Sequence, residues 1–136
     1  ATKWLKHMEM CNLIKVEKRG LTKLYRLDRE NAIVKQLKIL YNLLSLVEIK
    51  ELALGFNVKA YLYGSAARGE NVENSDVDIL IIGKLTKENN IQKINKISSK
   101  IKRKIKVEIF SKQEWSKMVK KDPAFYERVE KDKIEL

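Results

Sequence analysis

Between residues 64 and 78 the chain reads Gly-Ser-Ala-Ala-Arg-Gly-Glu-Asn-Val-Glu-Asn-Ser-Asp-Val-Asp. Asp76 and Asp78 are two apart at the mouth of an apolar run, Val77 to Ile82. In a strand that spacing turns both carboxylates to the same side of the sheet. Adjacent anions raise one another's pKa and cost stability unless a cation sits between them, and a hard divalent ion with oxygen ligands, Mg²⁺ above all, is the natural occupant. Upstream, Gly64 and Ser65 end another apolar segment, Val58 to Tyr63. Glycine lets a phosphate come close to the backbone and serine offers N–H and hydroxyl donors. Ala66-Ala67-Arg68, read as one helical turn, adds a turn N-terminus and a guanidinium for the same anion. A third carboxylate, Glu108, lies between Val107 and Ile109 in a strand from Lys106 to Phe110, where an anion beside a sheet core is costly without a partner. A metal would be that partner, and three carboxylates could hold two ions, one activating a hydroxyl and one gripping a triphosphate.

A plainer reading is that Asp76 and Asp78 cap a turn and Glu108 pairs with a lysine on an exposed edge. It requires Gly-Ser at a strand end, ten intervening residues, Asp-x-Asp opening an apolar strand and a later carboxylate strand to coincide by accident. Two look-alikes fail. The Gly64 to Gly69 spacing resembles a Walker loop, but Glu70 and Asn71 stand where Lys and Ser/Thr are required. An EF-hand is excluded because Leu80 and Ile81 occupy the third ligand position and the glycine position.

The elements that position these residues follow from periodicity. Thr2 to about Met10 reads as a short helix ending near Cys11-Asn12. Leu13 to Glu17 and Thr22 to Leu27 alternate around Lys18-Arg19-Gly20 as a hairpin. Asp28 can cap a long helix from about Arg29 to Leu54, with Ile33, Leu37, Leu40, Leu44 and Val47 in a seam on one face and Gly55 as its stop. Val58 to Tyr63 and Val77 to Ile82 are strands. Ile91, Ile94, Ile97, Ile101 and Ile105 mark an amphipathic helix with a lysine face. Ser111 and Glu114 form a capping box opening a helix to about Lys121, and Asp122-Pro123 starts another. The expected fold class is α/β (α+β), a small mixed sheet with helices packed on it. Its expected parts are a helix and wing-like hairpin at 1–30, a connecting helix at 31–56 and a catalytic domain at 57–136.

With 136 residues, 44% hydrophobic and 35% charged, the chain has material for one core and is not a disordered tail. A single cysteine, Cys11, cannot form an internal disulfide, and the chain has no Asn-x-Ser/Thr acceptor. No apolar run approaches the ~20 residues that cross a bilayer, and the first residues do not read as a signal peptide, so a soluble cytoplasmic protein without membrane contact is expected. The charge of +11 favours polyanions, nucleic acid or nucleotide phosphates, although lysine-rich surfaces also accompany growth at high temperature.

Gly64-Ser65, ten residues, then Asp76-Val77-Asp78, with Ala67-Arg68-Gly69 and Ser75, resembles the DNA polymerase β-like nucleotidyltransferase superfamily, and within it the minimal nucleotidyltransferases of prokaryotes. The resemblance covers about residues 45–136. It implies that Asp76, Asp78 and Glu108 bind Mg²⁺, two ions in all, with Glu108 helping to activate the acceptor hydroxyl. It also implies that Gly64 and Ser65, with Arg68, hold the triphosphate of a nucleotide such as ATP. Members of this size are often antitoxins of HEPN-domain ribonuclease toxins, and some transfer AMP to the toxin. The resemblance therefore implies transfer to a hydroxyl on a partner protein, in a toxin–antitoxin pair. Residues 1 to 50 resemble the second half of an archaeal winged helix-turn-helix, but the helices expected before the recognition helix are missing. That segment leaves DNA contact and homodimerisation through the seam both open. A non-catalytic winged-helix regulator, using the fold to sense nucleotide or bind a partner, is the alternative. His7 reads as exposed or capping, Trp115 and Met118 as core, and Lys100 to Lys106 as a solvated face that could also meet nucleic acid.

Overall fold

The N-terminal segment takes its shape from local chemistry. In the computed structural model, which describes residues 2–136, helix α1 (Thr2–Met10) ends where Asn12 enters the left-handed region at φ 57°. The Leu13 N–H then reaches back to the Met8 carbonyl and the Asn12 N–H to that of Glu9, closing the helix end. Strands β1 (Ile14–Arg19) and β2 (Thr22–Leu27) pair antiparallel from Ile14 opposite Leu27 to Arg19 opposite Thr22. Gly20, at φ 61°, makes the turn. Of this whole unit only Ile14 is buried. Trp4 stands 73% exposed, so α1 is not a core helix in the monomer.

The long helix expected from Arg29 to Leu54 is instead two helices, α2 (Ala32–Ser45) and α3 (Val47–Gly55). Asn31 caps α2 by accepting from the Ile33 N–H. At Leu46 the backbone leaves helical geometry (φ −102°, ψ 15°), and its N–H bonds three residues back to Leu43. The burial pattern gives the reason: Leu46, Ile49 and Ala53 plug into the main core, while Ile33, Leu37, Leu40, Leu44 and Val47 all remain exposed. One straight helix would have to follow a single face, and the break lets α3 turn its own apolar side inward.

The sheet runs in the order β5, β4, β3, β6, from β3 (Lys59–Tyr63), β4 (Val77–Ile82), β5 (Ile105–Phe110) and β6 (Ile134–Glu135). β3 pairs antiparallel with β4 and β6, and β4 runs parallel to β5, the connection between them carrying α4 (Lys87–Ile101). One face (Ala60, Leu62, Ile79, Ile81, Val107) packs on Leu46 at the α2–α3 break, on Ile49 of α3 and on Ile94 and Ile97 of α4. Ile105 is not part of the α4 seam: Lys102 turns left-handed at φ 56° and sends the chain into β5. The opposite face, with Tyr63 and Leu80, packs on Trp115 and Met118 of α5 (Lys112–Lys121) and Val129 of α6 (Pro123–Asp132). Trp115 and Met118 are core, as their spacing predicts. The Ser111–Glu114 capping box forms in both directions, and Asp122 accepts from the Phe125 N–H to open α6. The fold is thus α+β, a small mixed sheet between helices. Among the described residues no helix is long and apolar enough to cross a membrane.

Candidate active site

Buried Leu62 and Tyr63 anchor the end of β3 in the core, so the turn that follows starts from a fixed point. Gly64 sits at φ 73°, and a β-carbon there would lie 2.5 Å from Asp78 Oδ2. Glycine is therefore required twice, for the backbone conformation and for the close approach of the Asp78 carboxylate. Beyond it the chain coils as the expected turn. The Ala67 N–H donates to Gly64 O at 3.1 Å, and the Glu70 N–H to Ser65 O at 2.9 Å. Among the described residues the N–H groups of Ser65 and Ala66 form no such bond, which leaves adjacent donors for an anion. Gly69, at φ 68°, is pressed on α2, since a β-carbon there would meet Lys35 O at 2.3 Å. The Val72 N–H donates to Ser75 Oγ at 2.9 Å, ordering the loop just before the acidic pair.

Pleat alternation puts Asp76, Asp78 and Leu80 on one face of β4. On β5, Lys106 is in register with Asp78 and Glu108 with Leu80, so Lys106 and Glu108 share that face. The structure thus brings Asp78 beside Gly64 and sets all three carboxylates along one side of two neighbouring strands. It does not close them into a cage: among the described residues no group of three His, Cys, Asp or Glu side chains stands ready to ligate a metal. Lys106 takes the cation's place, its Nζ 2.9 Å from Asp76 Oδ2. Glu108 is exposed, so burial imposes no cost on it and the argument that it needs a partner for stability does not hold.

The two aspartates are electrically unlike. The bond from Lys106 holds Asp76 below the usual carboxylate range. Burial pushes Asp78 up, with repulsion from Asp76 adding to it and Lys106, Arg128 and Arg68 opposing. Tyr63, opposite Asp78 in the β3–β4 register, is pushed up to about 12 by burial and then by Asp78 and Glu108. Arg68 bonds Glu70 at 2.9 Å and also pairs with Asp132 at the end of α6, a carboxylate that is itself largely buried. Those two acids hold its guanidinium above its ordinary range, Glu70 contributing most.

The sequence reading missed Lys106, Arg128, Tyr63 and Asp132. For Lys106 a signal existed, because it lies two residues before Glu108 and so on the same strand face. For Arg128 and Asp132 there was none, since only the packing of α6 brings them near. The donor set fits a hard divalent cation. It supplies carboxylate oxygens alone, aligned on one sheet face, with a lysine ammonium already satisfying part of the charge and Asp78 left unneutralised. No curated protein and no solved structure matches the chain. Residues 45–135 match the nucleotidyltransferase domain family. That span is more than half the chain and contains the Gly64-Ser65 turn, the aspartate pair and Glu108, and the protein belongs to this family of nucleotidyltransferases.

Proposed function

We propose that the site transfers a nucleotidyl group, AMP from ATP, to a hydroxyl on a partner protein, with a HEPN-type toxin as the partner and this chain as its antitoxin. The observation that carries the reading is the seating of Asp78 directly over the Gly64 backbone, beside the free N–H groups of Ser65 and Ala66. In this reading Gly64 and Ser65 cradle the triphosphate, and Arg68 swings from Glu70 and Asp132 to a phosphate oxygen. Asp76, Asp78 and Glu108 would hold Mg²⁺, which supplies charge neutralisation at the phosphates and acidifies the attacking hydroxyl. Lys106 would release Asp76 for that purpose and pass its charge to the leaving pyrophosphate. The acceptor oxygen forms a bond to the α-phosphorus as the bond to the bridging oxygen breaks. Glu108, exposed and hydrated, receives the acceptor proton.

The test is transfer of labelled AMP from ATP onto candidate partner proteins. Asp78→Asn should lower the rate at least about 100-fold while circular dichroism stays unchanged. An unchanged rate would remove the reading. The regulator reading draws on α1, which buries no residue, and on the exposed Lys18-Arg19 at the hairpin tip. It predicts duplex DNA binding with a steep loss in salt that survives Asp78→Asn. We further infer that the exposed Ile33, Leu37, Leu40, Leu44 and Val47 seam pairs with a second copy of this chain.

A further inference from the structure

Beside that seam, and meeting it at Leu37, the α2 residues Val34, Lys38, Tyr41 and Asn42 line a cleft of about 1060 Å³. The rest of its wall comes from the end of the hairpin, the 71–73 loop and the turn before β5. Six cationic side chains face three acidic ones, Asp28, Glu30 and Glu73. Lys15 stands 3.5 Å from Asp28, and Arg26 is 3.7 Å from Glu17. Among the described residues Arg29, Lys38, Lys102 and Arg103 have no carboxylate at ion-pair distance.

Arg103 is held in place. Asn42, 1% exposed, donates from Nδ2 to Ala66 O at 2.9 Å and to Asn71 Oδ1 at 3.0 Å, which aims its Oδ1 at Arg103 Nη1, 2.7 Å away. The other guanidinium nitrogen, Nη2, is buried with no hydrogen-bond partner among the described residues. Lys38 donates to the Asn71 carbonyl. Burial, then Arg29 and Arg103, push its ammonium below the ordinary lysine range. A buried donor without an acceptor is costly, and cations held close without counter-charge repel one another. An oxyanion in the cleft relieves the repulsion, and a small turn of the Arg103 head towards it would give Nη2 an acceptor. Apolar and aromatic side chains line the same cleft and stand open, with Leu27 52% and Tyr41 68% exposed. A bare phosphate would leave those side chains and most of the volume unused, whereas a nucleotide has a phosphate for the cations and a flat base for the tyrosine.

We propose that this cleft binds a nucleotide unit, separate from the triphosphate at Gly64 and Ser65, with its phosphate on Arg103, Lys38 and Arg29 and its base against Tyr41. A free nucleotide and a nucleotide within a single strand present the same phosphate and base, and the experiment separates them. The proposal does not depend on the transfer reaction. Through Asn42 the cleft touches the Ala66 carbonyl and the Asn71 side chain in the loop that leads to the aspartate pair, so an occupant would lie next to the active site.

The test is equilibrium binding in EDTA, with the full chain carrying Asp78→Asn so that the metal-dependent site is silent. The probes are AMP, inorganic phosphate and a labelled five-nucleotide single-stranded RNA. Saturable binding is expected, weakened at least tenfold by Arg103→Ala and by Arg29→Glu. Arg29 is exposed and unpaired, so that variant keeps the fold even where loss of Arg103 disturbs it. Tyr41→Ala should weaken AMP and RNA but not phosphate. AMP binding as tightly as RNA assigns a free nucleotide, and a clear preference for RNA assigns a strand. Phosphate matching AMP with no effect of Tyr41→Ala would overturn the proposal, as would no binding of any probe at millimolar concentration, or binding indifferent to both arginine variants.

Discussion

Asp78 is unfavourable to the folded chain and Asp76 is not, although they are two residues apart on one strand. Asp76 has an ammonium 2.9 Å away, whereas Asp78 is half-buried over the Gly64 backbone with Asp76 as a neighbour. A carboxylate whose pKa is raised by folding destabilises the protein while ionised, and that penalty is relieved as pH falls through its folded pKa towards the unfolded value of 3.8. Asp76, lowered by Lys106, acts with the opposite sign, contributing stability above 3.8 that is lost as pH falls through its depressed pKa. In metal-free buffer Asp78→Asn should therefore be more stable than the wild type at pH 7, with the difference closing as pH approaches 3.8 and gone below it. Urea denaturation across that range checks this, and a pH-independent difference would show that the carboxylate's charge is not the cause. The identity of these residues was legible because a two-residue spacing fixes a strand face and a glycine at a strand end permits close approach. Their inequality was not legible, because it depends on Lys106 from the next strand and Arg128 from a distant helix.

The elements that sequence predicts best here are those whose ends are set by their own neighbours in the chain. The α1 terminus at Asn12, the Gly20 turn, the Ser111 capping box and the Asp122-Pro123 start all form as local chemistry requires. The α2–α3 break was not readable, because the seam spacing continues from Ile33 through Val47 and only the demand of the core for Leu46 and Ile49 interrupts it. β6, two residues long, carries too little pattern to detect and exists only because β3 offers an edge. The same division separates two kinds of leucine. Leu46 is 1% exposed, and Leu46→Ala should cost about 2–5 kcal/mol in denaturation experiments. Leu40 is 53% exposed and Leu44 64%. The double change Leu40→Glu with Leu44→Glu should leave the monomer's stability within about 0.5 kcal/mol, since neither side chain supports the fold. On an analytical ultracentrifuge the proposed pairing predicts that the wild type sediments as a dimer and the double variant as a monomer. A wild type that sediments as a monomer at high concentration would leave the seam without a second copy to bind.

Across the whole molecule the core is unevenly shared. The main cluster joins α3, α4 and the sheet, and a second joins the sheet to α5 and α6, while neither contains a residue before Leu43. Among the described residues, 2–30 attach through buried Ile14, through a bond from Asn31 Nδ2 to Asn12 O at 2.9 Å, and through the hairpin's flank of the cleft. Composition and charge could not reveal this division, because both halves of the chain are basic and no linker marks a boundary. It follows from where the apolar side chains end up. A two-stranded hairpin with one buried residue has little to resist opening, because a lone hairpin is at best marginally stable in water. A strand buried on both faces opens only with the whole domain. Amides of β1 and β2 should therefore exchange with deuterium at least about a hundredfold faster than those of β4, whose Val77, Ile79, Leu80 and Ile81 are at most 1% exposed. Equal protection of the two regions in exchange mass spectrometry would mean that the hairpin folds as one cooperative unit with the nucleotidyltransferase domain. In that case residues 1–30 would be a part of the domain and not an appendage to it.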